Sequence, residues 1–246
     1  MKTIFLMIAR ELKKYFFSIT GYVIVSLFLV MYGYNFWFLA TVFSDAQNSF
    51  SETFATFYFG TFFYWVATLM IPPVLTMQSI AEERKQGTLQ LLLTAPLSCG
   101  KIVFAKYCAA LAFYIIMWAF TALHFIFLVH SEVFSLPIII SGYFGTLLFG
   151  SVFLSMGIFA SAISKNLLIA AIVSIAIVLF FFSIGFLSYV TLDERLKSVF
   201  DYVNIVEQTY QYAQGVIDSR TIVYCISLTC MFLYLSSKSL AAEQWR

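Results

Sequence analysis

SIAEERKQGTL, residues 79–89, is the polar interruption on which the reading of this chain turns. It lies between two apolar stretches, each long enough to cross a membrane, and leads into the leucine-rich run LQLLLTA at residues 89–95. A segment with four consecutive charges, Glu82, Glu83, Arg84 and Lys85, cannot lie in hydrocarbon, where each charge costs about 2.5–3.5 kcal/mol. The spans on either side therefore hold it out of the bilayer as a handle. Ser79 and Glu82 have the spacing of a capping box, which predicts a helix start. Gly87 then breaks that helix, Thr88 is placed to cap a second piece, and Pro96 ends it. The second piece carries Leu89, Leu91, Leu92 and Leu93, which need a dry surface: the membrane face or a groove on a partner protein. Glu82, Glu83, Arg84 and Lys85 are expected to form a polar rim around it.

Composition agrees with a membrane solvent. The 246 residues are 62% hydrophobic and 11% charged and include 29 phenylalanines, against about 25% charged residues in an ordinary soluble domain. Six stretches reach the roughly 20 residues that a crossing helix needs: Gly21–Thr41, Phe57–Thr76, Ile102–Val129, Pro137–Ile163, Leu167–Tyr189 and Ile222–Leu240. None contains Asp or Glu, and Lys106 and Lys238 sit where a long side chain reaches the headgroups. The predicted class is an all-α polytopic membrane protein, one transmembrane domain over 1–246, with a coupling region at 77–100 and an extracytoplasmic helix-turn segment at 190–220.

Basic residues set the direction. Eleven Lys and Arg, from Lys2, Arg10, Lys13 and Lys14 through Arg84, Lys85, Lys101 and Lys106 to Lys165, Lys238 and Arg246, fall on one side. Only Arg195, Lys197 and Arg220 fall on the other, so both termini and the handle are expected in the cytosol. The first span is too long and too aromatic for a cleaved leader. Residues 1–20 contain an amphipathic stretch with Ile4, Phe5, Ile8, Leu12, Tyr15 and Phe16 on one stripe. Arg10, Lys13 and Lys14 lie on the other, where they would meet anionic headgroups of a surface-lying helix. In the outer segment Leu192, Leu196, Val199, Phe200 and Val203 recur at helical spacing, and Tyr202, Tyr210 and Tyr212 are expected at headgroup level.

Few residues suggest chemistry. Cys99, Cys108, Cys225 and Cys230 form no disulfide framework, and His124 and His130 have no Cys or carboxylate at ligand spacing. No G-x-x-x-x-G-K-[ST] string occurs, since Gly100-Lys101 is followed by Ile102. The net charge of +2 gives no reason to expect nucleic acid. Gly142, Gly145, Gly150 and Gly157, with Ser141, Ser151, Ser155 and Ser161, form a small-residue face in the fourth span, suited to helix packing or to lining a path. Pro72-Pro73 should bend the second span above the handle.

EERKQGTLQLLLTAPLS, residues 82–98, followed by Lys106 in the next helix, resembles the signature of type-2 ABC transporter permeases. LKKYFFSITGY (12–22) and GVIDSR (215–220) resemble the branch containing gliding-motility and copper-enzyme-maturation permeases. The resemblance covers essentially the whole chain and implies a non-catalytic subunit of a bacterial inner-membrane exporter. By it, residues 87–95 are a coupling helix seated in a separate ABC ATPase subunit, which binds the ATP and Mg, and Glu83-Arg84 matches the family's acidic-basic pair. A second permease, identical or related, completes the machine. By the same resemblance, an ATPase-driven mechanical relay or scaffold is the alternative to a solute exporter. A secondary transporter would need ionisable groups at mid-membrane, and a membrane enzyme would need a nucleophile-base pair or metal cluster.

Overall fold

The computed structural model describes residues 2–45, 54–90, 97–127, 135–189 and 193–243. Among them there is no strand, and six helices are long and apolar enough to cross a membrane: Ile19–Phe43, Phe62–Lys85, Cys99–Ile126, Leu136–Ile163, Leu167–Tyr189 and Ser219–Glu243. Five of these coincide with the expected spans to within three residues; the second, expected at Phe57–Thr76, starts five residues later and runs on into the handle to Lys85. The elements are α1 (Lys2–Phe17), α2 (Ile19–Asp45), α3 (Phe54–Tyr58), α4 (Phe62–Thr76), α5 (Ala81–Lys85), α6 (Cys99–Thr121), α7 (Leu123–Ile126), α8 (Leu136–Ile163) and α9 (Leu167–Ile184). A 3-10 turn at Gly185–Tyr189, α10 (Glu194–Val203), α11 (Ile205–Ala213) and α12 (Ser219–Glu243) follow.

The fourth span, α8, is the axis of the bundle: 72% of its apolar window is buried, against 17% for the fifth span. Small residues explain this placement, because each glycine receives a bulky group from a different neighbour. A Cβ on Gly142 would collide with the Phe59 ring, on Gly150 with Tyr114 of α6, and on Gly157 with Thr76 of α4. On Gly145 it would come within 2.8 Å of Tyr212 of α11. Close helix packing inside the chain therefore accounts for these four glycines. Pro137 occupies the first turn of α8, where its missing N–H leaves no bond unmade.

Aromatic side chains fill the space between α2, α4 and α6. Tyr32 and Trp118 meet at a ring separation of 4.9 Å, with Phe28 against both. Tyr64 reaches Thr146 of α8 at 3.1 Å. His124 stacks on Phe36 at 4.9 Å and its Nδ1 lies 3.1 Å from the Tyr58 hydroxyl. His130 lies outside the described residues. The helix α4 runs through Pro72 and Pro73, and the Thr76 hydroxyl donates back to the Pro72 carbonyl at 2.7 Å.

Beyond the fifth span the chain forms two short helices rather than one, because Asn204 stops the first and starts the second. Its side chain accepts from Val206 N at 3.1 Å and Glu207 N at 3.3 Å, while its amide donates to Ser188 Oγ at 3.2 Å. Tyr212 departs from the expected headgroup position: it is buried against Gly145, Phe144 and Phe149. Leu192 and the side chain of Val199 lie outside what is described.

Candidate functional site

The handle forms where α4 gives way to α5. The expected capping box is not made. Ile80 is the residue at the cap, without a side-chain bond, and the Ser79 hydroxyl has no partner among the described residues. The free N–H groups are met instead from α8, whose Ser161 Oγ accepts from Ile80 N at 3.1 Å and Ala81 N at 3.0 Å. The same hydroxyl donates to the Met77 carbonyl at 3.2 Å. A hydroxyl already held by the packed neighbour is available where the local one is turned away. Gly87, with φ +72°, then breaks the helix as the sequence predicted, in a region that favours glycine. Helical geometry resumes at residues 88–90, where Thr88 Oγ1 donates to the Glu83 carbonyl at 3.3 Å.

Glu83 and Arg84 are adjacent in α5 and so point about 100° apart, and each fastens the handle to a different part of the bundle. Glu83 is buried. Its Oε1 accepts from Lys106 Nζ of α6 at 2.8 Å and from Lys14 Nζ of α1 at 3.0 Å. Glu11 closes the cluster, lying 3.4 Å from Lys106 Nζ and 3.0 Å from Lys14 Nζ. Lys106, only 1% exposed, also donates to the Ser79 carbonyl at 2.6 Å. Two carboxylates and two ammonium groups therefore join α1, α5 and α6. The expectation that Lys106 reaches for headgroups is corrected: two buried acids and a carbonyl satisfy it inside the fold.

Arg84 faces the other way. Its Nε and Nη2 take both oxygens of Glu243 of α12, at 2.8 and 2.7 Å, in a bidentate pair. Nη2 also donates to the Ala162 carbonyl at 2.6 Å and Nη1 to the Ser164 carbonyl, covering the last carbonyls of α8. Glu83 and Arg84 thus do not form an outward rim. Of the rim expected from the sequence, Lys85 is exposed and Glu82 half-buried, where it accepts from Gln86 Nε2 at 3.2 Å. Gly87 and Thr88 are exposed. Leu89 is buried in the chain's own core, so it offers no free apolar surface. Leu92, Leu93 and Pro96 lie outside the described residues.

The surface helix differs in detail from its expected pattern. Met7 and Glu11 are its most buried positions, while Phe5 and Phe16 are exposed. Arg10 and Lys13 are exposed, Arg10 touching Glu11 at 3.3 Å. Lys14 is spent on Glu11 and Glu83 rather than turned to headgroups. Burial opposes the charge on Glu11, but Lys106 and Lys14 outweigh it and hold the carboxyl below its ordinary 4.5. Burial likewise opposes the charge on Lys14, and Glu11 and Glu83 outweigh it, raising the ammonium above its ordinary 10.5.

Sequence reasoning missed Glu11, Ser161 as a cap, and Glu243. A signal existed for two of them. Glu11 stands three residues before Lys14, at ion-pair spacing on a helix. Glu243 continues the buried face of Ser236 and Leu240. Beside the Arg84 flank, an open groove of about 710 Å³ is bordered by Gln90, Ile163, Lys165 and Ser239. No group of three His, Cys, Asp or Glu side chains that would hold a metal occurs among the described residues.

A bundle of six membrane-length helices, with a charged helix stapled across one end, defines a multi-pass membrane protein. Residues 6–214 match the family described as ABC-2 family transporter protein, and the chain belongs to that family as a transporter membrane component. Members of this family are normally non-catalytic, bind no cofactor, and work with ABC ATPase subunits. Comparison with curated proteins gives no match. The match ends before α12, which nevertheless carries the carboxylate that holds Arg84.

Proposed function

We propose that this chain is the passive half of an ATP-driven exporter in the inner membrane of a bacterial cell. Its handle and both termini are cytosolic, and its substrate is moved when a separate ABC ATPase pushes on residues 82–96. The observation that carries this reading is the double fastening of α5. A displacement of the handle pulls on α1 and α6 through Glu83 and on α8 and α12 through Arg84. Of these helices α1 and α6 pack in one hydrophobic cluster of the bundle, while α8 and α12 contribute to both, so a push at one point reaches both. Glu83 and Arg84 transmit; the exposed Lys85, Gln86, Gly87 and Thr88 meet the ATPase, together with Leu92, Leu93 and Pro96. A second permease chain of the same or related sequence and a pair of ATPases complete the assembly. The likeness of residues 12–22 and 215–220 to the gliding-motility and copper-enzyme-maturation permeases supports a reading within that branch.

Co-purification with the cognate ATPase tests the docking surface. Lys85→Glu combined with Gln90→Glu changes two exposed positions and should abolish recovery of the ATPase while the permease stays folded. Recovery at the unmodified level would overturn the assignment. Glu83→Gln should leave the ATPase bound but uncouple its hydrolysis from movement of the bundle, read as ATP turnover no longer stimulated by reconstitution in lipid.

A further inference from the structure

Two hollows meet at the elbow where α1 ends at Phe17 and α2 begins at Ile19. The first, about 350 Å³, lies between this elbow and the handle and is bordered by charged and polar side chains together with Tyr15 and Phe17. Its walls include Glu82, Glu83, Ser79, Gln78, Lys14 and Thr20. The second, about 190 Å³, is apolar and runs between α1, α2 and α6 along Phe16, Tyr22, Val25, Phe113 and Phe120. Tyr15 borders both. Because α2 is a membrane-length helix that starts here, the first hollow sits at headgroup depth and the apolar one beside the hydrocarbon.

Counting donors against acceptors shows what the first hollow lacks. Lys14 Nζ has three N–H groups and three acceptors: both oxygens of Glu11 and Oε1 of Glu83. Lys106 Nζ is likewise used up by Glu11, Glu83 and the Ser79 carbonyl. Glu83 Oε2 and the Ser79 hydroxyl are left without a partner among the described residues, and both residues, more than nine-tenths buried, border the hollow. Among the described residues Glu82 accepts from Gln86. The border of the hollow therefore carries three carboxylates, Glu11, Glu82 and Glu83, against one ammonium, Lys14. A buried carboxylate oxygen without a donor is costly, and the group that completes it carries positive charge and several N–H bonds.

We infer that the elbow binds an amine-headed phospholipid, its ammonium in the acidic hollow under Glu82 and its acyl chain in the apolar groove between α2 and α6. Phosphatidylethanolamine has this chemistry. Phosphatidylcholine has the same charge and chains but a quaternary nitrogen that donates no hydrogen bond. A free amine offers the donors but leaves the apolar groove along Phe16, Phe113 and Phe120 empty. This inference does not depend on how the ATPase docks.

The test is native mass spectrometry of the detergent-purified chain offered phosphatidylethanolamine and phosphatidylcholine of identical chains in equal amounts. Retention of the ethanolamine lipid should exceed that of the choline lipid by about tenfold, the scale of one charge-assisted hydrogen-bonding contact. Glu82→Gln should bring the two lipids to near parity. It alters a half-buried residue outside the Glu83 cluster, so the variant keeps the joint of α1, α5 and α6 intact. Equal retention of both lipids by the unmodified chain would overturn the inference, as would a preference unchanged in Glu82→Gln. Displacement of the lipid by excess free ethanolamine would assign the hollow to a soluble amine and overturn the lipid reading as well.

Discussion

The two flanks of the handle hold it by different physics. On the Glu83 side, four charged groups from three helices close on one another, with Lys106 and Glu11 almost wholly out of solvent. On the Arg84 side, one guanidinium bridges a half-exposed carboxylate and the carbonyl end of α8, with its side chain 19% exposed and that of Glu243 35%. A buried cluster gains from strong Coulomb attraction but loses heavily if one member is removed, because the rest stay charged and dry. A partly solvated bidentate pair loses less, since water takes the place of the missing partner. Neighbouring residues of one motif thus serve as a rigid joint and a yielding one.

The largest expected effect breaks the rigid joint. Lys106→Met removes a buried ammonium while leaving Glu11 and Glu83 facing each other, and should destabilise the chain by about 3–5 kcal/mol. Denaturant unfolding in detergent measures it. Adding Glu83→Gln to the same chain should recover part of the loss, because the pair is then replaced rather than broken. No recovery would mean that Lys106 acts by packing alone.

Arg84→Gln tests the yielding joint and should cost about 1–3 kcal/mol, the loss of charged hydrogen bonds that water replaces in part. Arg84→Lys should recover little of this, since an ammonium cannot take both Glu243 oxygens and two carbonyls at once. If Arg84→Gln destabilised as much as Lys106→Met, the contrast between the flanks would fail. Smaller still is Ser161→Ala, which leaves two N–H groups at the start of α5 without their acceptor. About 1 kcal/mol is expected, as for other lost helix caps, and amide exchange at residues 80 and 81 should speed up before that of the rest of α5.

The six spans were legible because length and apolarity alone report them, and the break at Gly87 because glycine states it locally. The small-residue face of α8 was legible as a face, but its partners were not, since Phe59, Tyr114, Thr76 and Tyr212 come from four separate parts of the chain. The handle itself stood out in the sequence; its orientation did not. Glu83, Arg84 and Leu89 read as an exposed rim and tip because a charged loop between spans normally faces water. What turns them inward is far away in sequence: Lys14, Lys106, Ser161, Ser164 and Glu243. The capping box failed for the same reason, as tertiary contact supplied a better acceptor than the local hydroxyl.

Acid sharpens the comparison at the least cost to the molecule. The Glu11 carboxyl sits below its ordinary 4.5 because it is paired with Lys106 and Lys14. A lowered folded value means that folding is favoured by the charged form. The stabilisation is complete above 4.5 and fades as pH drops through the lower folded value. Lys14 is shifted upward from 10.5 by Glu11 and Glu83, so its contribution is complete below 10.5 and fades only as pH rises past the folded value. Between these limits the contributions of Glu11 and Lys14 should not vary with pH. Unfolding measured from neutral pH downward should therefore show a plateau, then a decline below 4.5 as α1 loses its hold on the handle. In Glu11→Gln the plateau should be lower and the decline shallower, because that carboxyl no longer titrates. An acid limb of unchanged steepness in the variant would show that other carboxylates set it and that Glu11 does not govern the rigid joint.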